Sequence, residues 1–180
     1  KKGIFMEASI RRCKINLIYS GYFVILFQLW TTARFVLMRL LEPAEYAIWR
    51  DSISKYANQL NTGSVADLLN WRLHPEAAFY VMLASYLILL AAAFYIGYRA
   101  VKVGQGGEPK TFYLVLATVV TVVSLGDVIC TFFMLDAAHP YRALINNFVA
   151  LLAMIAYILL VISGWKLRGL LNKKKGEAAA

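Results

Sequence analysis

The chain has 180 residues, of which 61% are apolar and 16% charged, with a mean hydropathy of +0.60. A soluble globular domain of this length carries more charge and interrupts its apolar runs sooner, so composition excludes that class and points to the bilayer. The formal charge of +9 does not imply nucleic acid, because the aromatics sit in the apolar runs or at their ends and are not interleaved with basic residues on one surface.

Ahead of the first apolar run stand Lys1, Lys2, Arg11, Arg12 and Lys14. Residues 1–14 read as a basic cytoplasmic segment, and the cluster argues that this end stays on the cytoplasmic side. Ile15–Ala33 then supplies 19 apolar-rich residues, enough for a helix to cross about 30 Å of hydrocarbon. On it Gln28, Thr31 and Thr32 line one stripe leading to Arg34. Arg34 and Arg39 would be costly in hydrocarbon, so the helix is expected to continue outside as Phe35–Leu41 until Pro43 ends or redirects it.

Residues 42–76 form the one sizeable connector. From Arg34 to Glu76 five basic residues balance five acidic ones, as suits an outer segment. Between Ala44 and Leu60, Tyr46, Trp49, Ile53 and Tyr56 recur at steps of three and four, which predicts an amphipathic helix. Asn61, Thr62 and Gly63 break it, and Ser64 with Asp67 resembles a capping box opening a second short helix that ends near Leu73. Such a hairpin lies on the outer leaflet or on a neighbouring subunit, and its few basic residues favour protein. Tyr46, Trp49, Ile53 and Tyr56 are the candidate docking face.

Ala77–Tyr98 is the second run, of 22 residues, carrying Ala77, Ala84 and Ala91 at heptad spacing as a ridge for close helix packing. His74-Pro75 and His139-Pro140 precede the two spans that enter from outside. Proline at the first helical position starts a helix without losing a hydrogen bond. Two histidines at span ends are too few for a metal and misplaced for haem. Arg99, Lys102 and Lys110 mark residues 99–111 as a cytoplasmic loop.

The third run, Phe112–Leu135, has 24 residues and holds Asp127 in its outer half. Ser124 and Thr131 lie one turn to either side, and Ala117 and Thr121 continue the seam inward. A short outer turn, 136–142, leads to Ala143–Trp165, of 23 residues, which opens with Asn146 and Asn147. Lys166, Arg168 and Lys173–Lys175 make 166–180 a basic cytoplasmic tail. No structure is predicted for Lys173–Ala180.

The expected fold is all-α: a multi-pass membrane protein of four transmembrane helices, with an amphipathic helical hairpin between the first and second and both termini cytoplasmic. A bacterial inner membrane or an equivalent energy-transducing membrane suits it. Trp30, Tyr80 and Tyr141 fall at the outer interface and Tyr98, Tyr113 and Trp165 at the inner one, as an aromatic belt. Cys13 and Cys130 lie at opposite depths, which precludes a disulfide between them within one monomer, and neither is in a C-x-x-C pair.

No nucleophile with its base, paired acid and base, metal set or nucleotide motif is legible, so neither an enzyme nor a bound cofactor is expected. The candidate site is an outer polar constellation of Gln28, Thr31, Thr32, Arg34, Ser124, Asp127, Thr131, Asn146 and Asn147. Buried polar groups commonly set helix register, and a transporter would continue them through the inner half. The function expected is therefore a non-catalytic subunit embedded in lipid beside other membrane subunits or copies of itself. The alternative is a homo-oligomeric channel or small transporter with an outward-facing pocket around Asp127.

Overall fold

A computed structural model describes residues 2–60, 75–133 and 140–179; within these, the side chains at 2–4, 52–60, 75, 76, 78, 127, 130–133, 140–147, 175 and 177–179 are not described. Five helices account for them: α1 (Lys2–Leu41), α2 (Pro43–Leu60), α3 (Pro75–Gly104), α4 (Thr111–Phe133) and α5 (Pro140–Ala179). No strand occurs among the described residues. Among the described residues three stretches are long and apolar enough to cross a membrane, Phe5–Leu41, Phe79–Gly104 and Phe148–Lys174, and Thr111–Gly126 is a shorter apolar helix.

The helix ends follow local chemistry. Three helices begin at proline, Pro43, Pro75 and Pro140, where the missing amide hydrogen is not needed. Glu42 still donates its amide to the Met38 carbonyl at 3.2 Å and accepts from the Tyr46 amide at 3.0 Å, so the chain turns from α1 into α2 with its backbone satisfied. At the other end of α3, the Gly107 amide reaches the Lys102 carbonyl at 2.9 Å and the Gly106 amide the Val103 carbonyl at 3.1 Å. Gly106 has φ 113°, which makes this a Schellman ending that glycine alone adopts without strain.

The expected helix over Ala44–Leu60 is found as α2. The second arm of the expected hairpin, with Ser64, Asp67 and Trp71, lies outside the described residues, as do His74, Leu135 and His139. One expectation needs correction: the residues from Lys173 onward are not without structure, since α5 continues to Ala179. At the other end α1 begins at Lys2, ahead of the first apolar run. Lys, Glu and Ala are strong helix formers, and Leu167 belongs to the apolar core with Ile10 and Leu171 packed against it, so packing carries both helices past the apolar runs.

The chain divides into two compact units, Lys1–Gln28 with Ala91–Ala180, and Leu29–Leu90. In the first, Cys13, Leu17, Val24, Ala93, Ile96, Ala100, Leu114 and Leu160 form one core drawn from α1, α3, α4 and α5. Lipid is as apolar as leucine, so close approach of surfaces rather than exclusion of water holds such helices together. Glycines provide it. A Cβ on Gly97 would stand 2.5 Å from the Gly21 carbonyl oxygen, and one on Gly104 2.7 Å from that of Lys14. Residue numbers rise on α3 as they fall on α1, so the two run antiparallel with their backbones nearly touching.

The packing ridge of α3 is thus Ala93, Gly97, Ala100 and Gly104. Ala77, Ala84 and Ala91, the ridge expected from spacing, are exposed. Between α4 and α5, Gly164 lies against Leu114, whose side chain occupies the place a Cβ would take. The three aromatics expected at the inner interface differ in exposure. Tyr98 and Trp165 are exposed, but Tyr113 is fully buried, and its hydroxyl has no hydrogen-bond partner among the described residues. It is a core residue of the α4 and α5 contact.

Candidate functional site

The second unit, Leu29–Leu90, is organised around aromatic rings from three helices. Phe35 and Arg39 stand one turn apart on α1, Tyr46 and Trp49 one turn apart on α2, and Phe79 and Tyr86 two turns apart on α3, so each helix presents one edge. The Phe35 and Phe79 rings stack at 4.9 Å and 14°, and Trp49 meets both edge-on, at 5.9 Å and 6.0 Å. Tyr46 stacks on Trp49 at 5.6 Å and meets Phe79 edge-on at 5.7 Å. Tyr86 closes on Phe35 at 4.8 Å. Offset and edge-on pairs of this kind each contribute about 0.5–1.5 kcal/mol beyond the area they bury.

Arg39 explains how a charge sits on this face. Its guanidinium lies 4.6 Å from the centre of the Phe79 ring, 5.3 Å from Tyr80 and 5.5 Å from Tyr46, where the negative faces of the rings stabilise a cation. The cluster therefore has a buried floor, Phe35 and Phe79, a cationic cover, and two half-buried rings on α2. The sequence reading named Tyr46 and Trp49 as docking residues, and the structure brings that pair together. It missed Phe35, Arg39, Phe79 and Tyr86, although their spacings of four and seven would have placed each pair on one helix face. Ile53 and Tyr56 belong to α2, and their side chains lie outside the described residues.

For the polar constellation, Thr32 is buried and Gln28, Thr31 and Arg34 are half-buried on α1, while Ser124 is half-buried on α4. Asp127 and Thr131 belong to α4 and Asn146 and Asn147 to α5, and the side chains of these four lie outside the described residues. The inward continuation of the seam is satisfied by its own helix. Thr121 donates to the Ala117 carbonyl at 2.7 Å and Thr118 to that of Leu114 at 2.8 Å, the bond a helical hydroxyl makes to the carbonyl one turn back. Ser20 on α1 does the same to the Asn16 carbonyl at 2.6 Å. Trp165 adds a long bond of 3.4 Å from its ring nitrogen to the Thr118 hydroxyl. Cys13 is buried and unpaired in a disulfide, and the Cys130 side chain lies outside the described residues.

Comparison of the chain with protein families, with curated proteins and with solved structures finds no match in any of the three.

Proposed function

We propose that this chain is a non-catalytic integral membrane subunit that packs within a larger membrane assembly. In this reading α4 is a fourth span, both termini are cytoplasmic, and residues 42–76 form a helical hairpin on the outer side. The observation that carries it is the contrast between centre and surface of the first unit. Leu17, Val24, Ile96, Leu114 and Leu160 are fully buried, whereas Leu26, Val122, Phe148 and Ile162 are more than half exposed. A centre filled by side chains supports a packing element over a water-filled path through one copy. The exposed apolar surface is what lipid and neighbouring subunits would cover.

Docking is assigned to α2, through the face of Tyr46, Trp49, Ile53 and Tyr56. Tyr46 and Trp49 are also held by Phe35 and Phe79 of the same chain, so replacing Trp49 alters fold and docking together. The selective variant is Ile53→Ala with Tyr56→Ala. Mass and composition of the particle extracted in mild detergent test the reading. A defined hetero-complex that the double variant fails to enter, while still inserting, is the expected result. A closed homo-oligomer whose ion flux in liposomes is lost in Asp127→Asn would replace the subunit reading with the channel.

A further inference from the structure

A groove of about 380 Å³ runs along the first unit between α1 and α5, within the range of about 300–1,000 Å³ common to small-molecule sites. Phe23 and Phe27 of α1 face Leu152 and Ile155 of α5 across it, and its deepest residues are Ser20 and Ala156, both buried. The Ser20 hydroxyl is occupied by the Asn16 carbonyl at 2.6 Å, which leaves the floor without a polar demand. Asn16 also lines a second, open hollow, formed with Glu7, Arg11, Arg12 and Ile15 on the N-terminal side. The apolar groove therefore leads into a basic mouth through a shared residue. Glu7 does not cancel it, because Lys174 of α5 stands 3.8 Å from the Glu7 carboxylate, and Arg11 and Arg12 are exposed.

The dimensions fit one class of molecule. From Arg12 to Phe27 is about 22 Å along a helix, against about 15 Å for half of a hydrocarbon core about 30 Å thick. A chain lying in the groove thus crosses one leaflet and places its headgroup at the arginines. We propose that this face binds an anionic glycerophospholipid of the leaflet nearest the N-terminus. One acyl chain lies between Phe23, Phe27, Leu152 and Ile155, and the phosphate is met by Arg11 and Arg12. Arginine matches phosphate oxygens through two parallel hydrogen bonds, which lysine cannot offer. Naming that leaflet as cytoplasmic rests on the topology proposed above; the binding itself does not.

The test is native mass spectrometry of the purified chain in mild detergent, titrated with phosphatidylglycerol or phosphatidylcholine. One tightly held phosphatidylglycerol is expected, bound at least tenfold more strongly than phosphatidylcholine, since each basic residue near an anionic lipid surface contributes about fivefold. Arg11→Gln with Arg12→Gln should remove that preference. Ile155→Trp, at an exposed wall of the groove, should weaken both lipids. Lys102→Gln with Lys110→Gln, exposed elsewhere, should leave the preference intact. Equal binding of the two lipids by the parent chain, or equal loss in the lysine control, would overturn the proposal. Detergent abolishes sidedness, so a wrong topology leaves this result unchanged and is exposed only by labelling in cells.

Discussion

Gly97 shows how much one side chain decides where helices touch. Its position leaves 2.5 Å between a Cβ and the Gly21 carbonyl, and 2.6 Å to Cγ1 of Ile25, distances at which the backbone of α1 must retreat. Gly97→Ala should therefore destabilise the folded chain by about 1–3 kcal/mol, the usual cost of overpacking. Gly169, by contrast, has nothing within 4 Å of its would-be Cβ. Gly169→Ala should leave stability unchanged or raise it by up to about 1 kcal/mol through helix propensity. Thermal unfolding of both variants in one detergent checks the pair. If they shift alike, the α1 and α3 contact is looser than described. Tyr113 carries the same lesson, since its place in the chain suits an interfacial ring and its surroundings make it a core one.

At the scale of elements, α2 is held by rings rather than by its own helical stability. An isolated helix of 18 residues is marginal in water, and packing supplies most of what keeps it formed. Phe35 and Phe79 supply that packing, and Arg39 covers it from 4.6 Å above Phe79. Arg39→Gln removes the cation and keeps much of the stem, and it should weaken α2 by about 1–2 kcal/mol. Amide hydrogen exchange over residues 43–60 should accelerate about 5- to 30-fold, with exchange in α4 unchanged. Arg39→Lys should recover part of the protection, because an ammonium keeps the charge without the flat guanidinium that stacks on rings. Equal exchange in all three proteins would show that the arginine contributes nothing to α2.

At the scale of the whole molecule, the asymmetry of basic residues predicts which ends share a side of the membrane. Gln105 is exposed at the turn between α3 and α4. In a background with Cys13 and Cys130 replaced, a single cysteine at Gln105 or at Ala180 should react with an impermeant thiol reagent only after the membrane is opened, whereas one at Asn58 should react in intact cells. Labelling at Gln105 from outside would reverse the topology. That outcome would move the proposed lipid to the opposite leaflet, with its residues the same.

Where the helices run was legible in the sequence, and which side of each one packs was not. Long apolar runs announced α1, α3, α4 and α5, the prolines at 43, 75 and 140 marked where helices begin, and the spacing of Tyr46, Trp49, Ile53 and Tyr56 announced α2. These are properties along the chain, set by backbone chemistry and by the transfer of side chains from water to hydrocarbon. Which side of a helix meets protein is a different question, because lipid and a protein core are equally apolar and hydropathy does not separate them. Spacing alone therefore favoured Ala77, Ala84 and Ala91 as a ridge, when the backbones meet at Gly21, Gly97 and Gly104. Nor did spacing show that Tyr113 is buried against α5, or that α5 runs on through Lys173 to Ala179. The groove between α1 and α5 and the ring cluster under Arg39 each join residues far apart in the chain, and only tertiary packing brings such residues together.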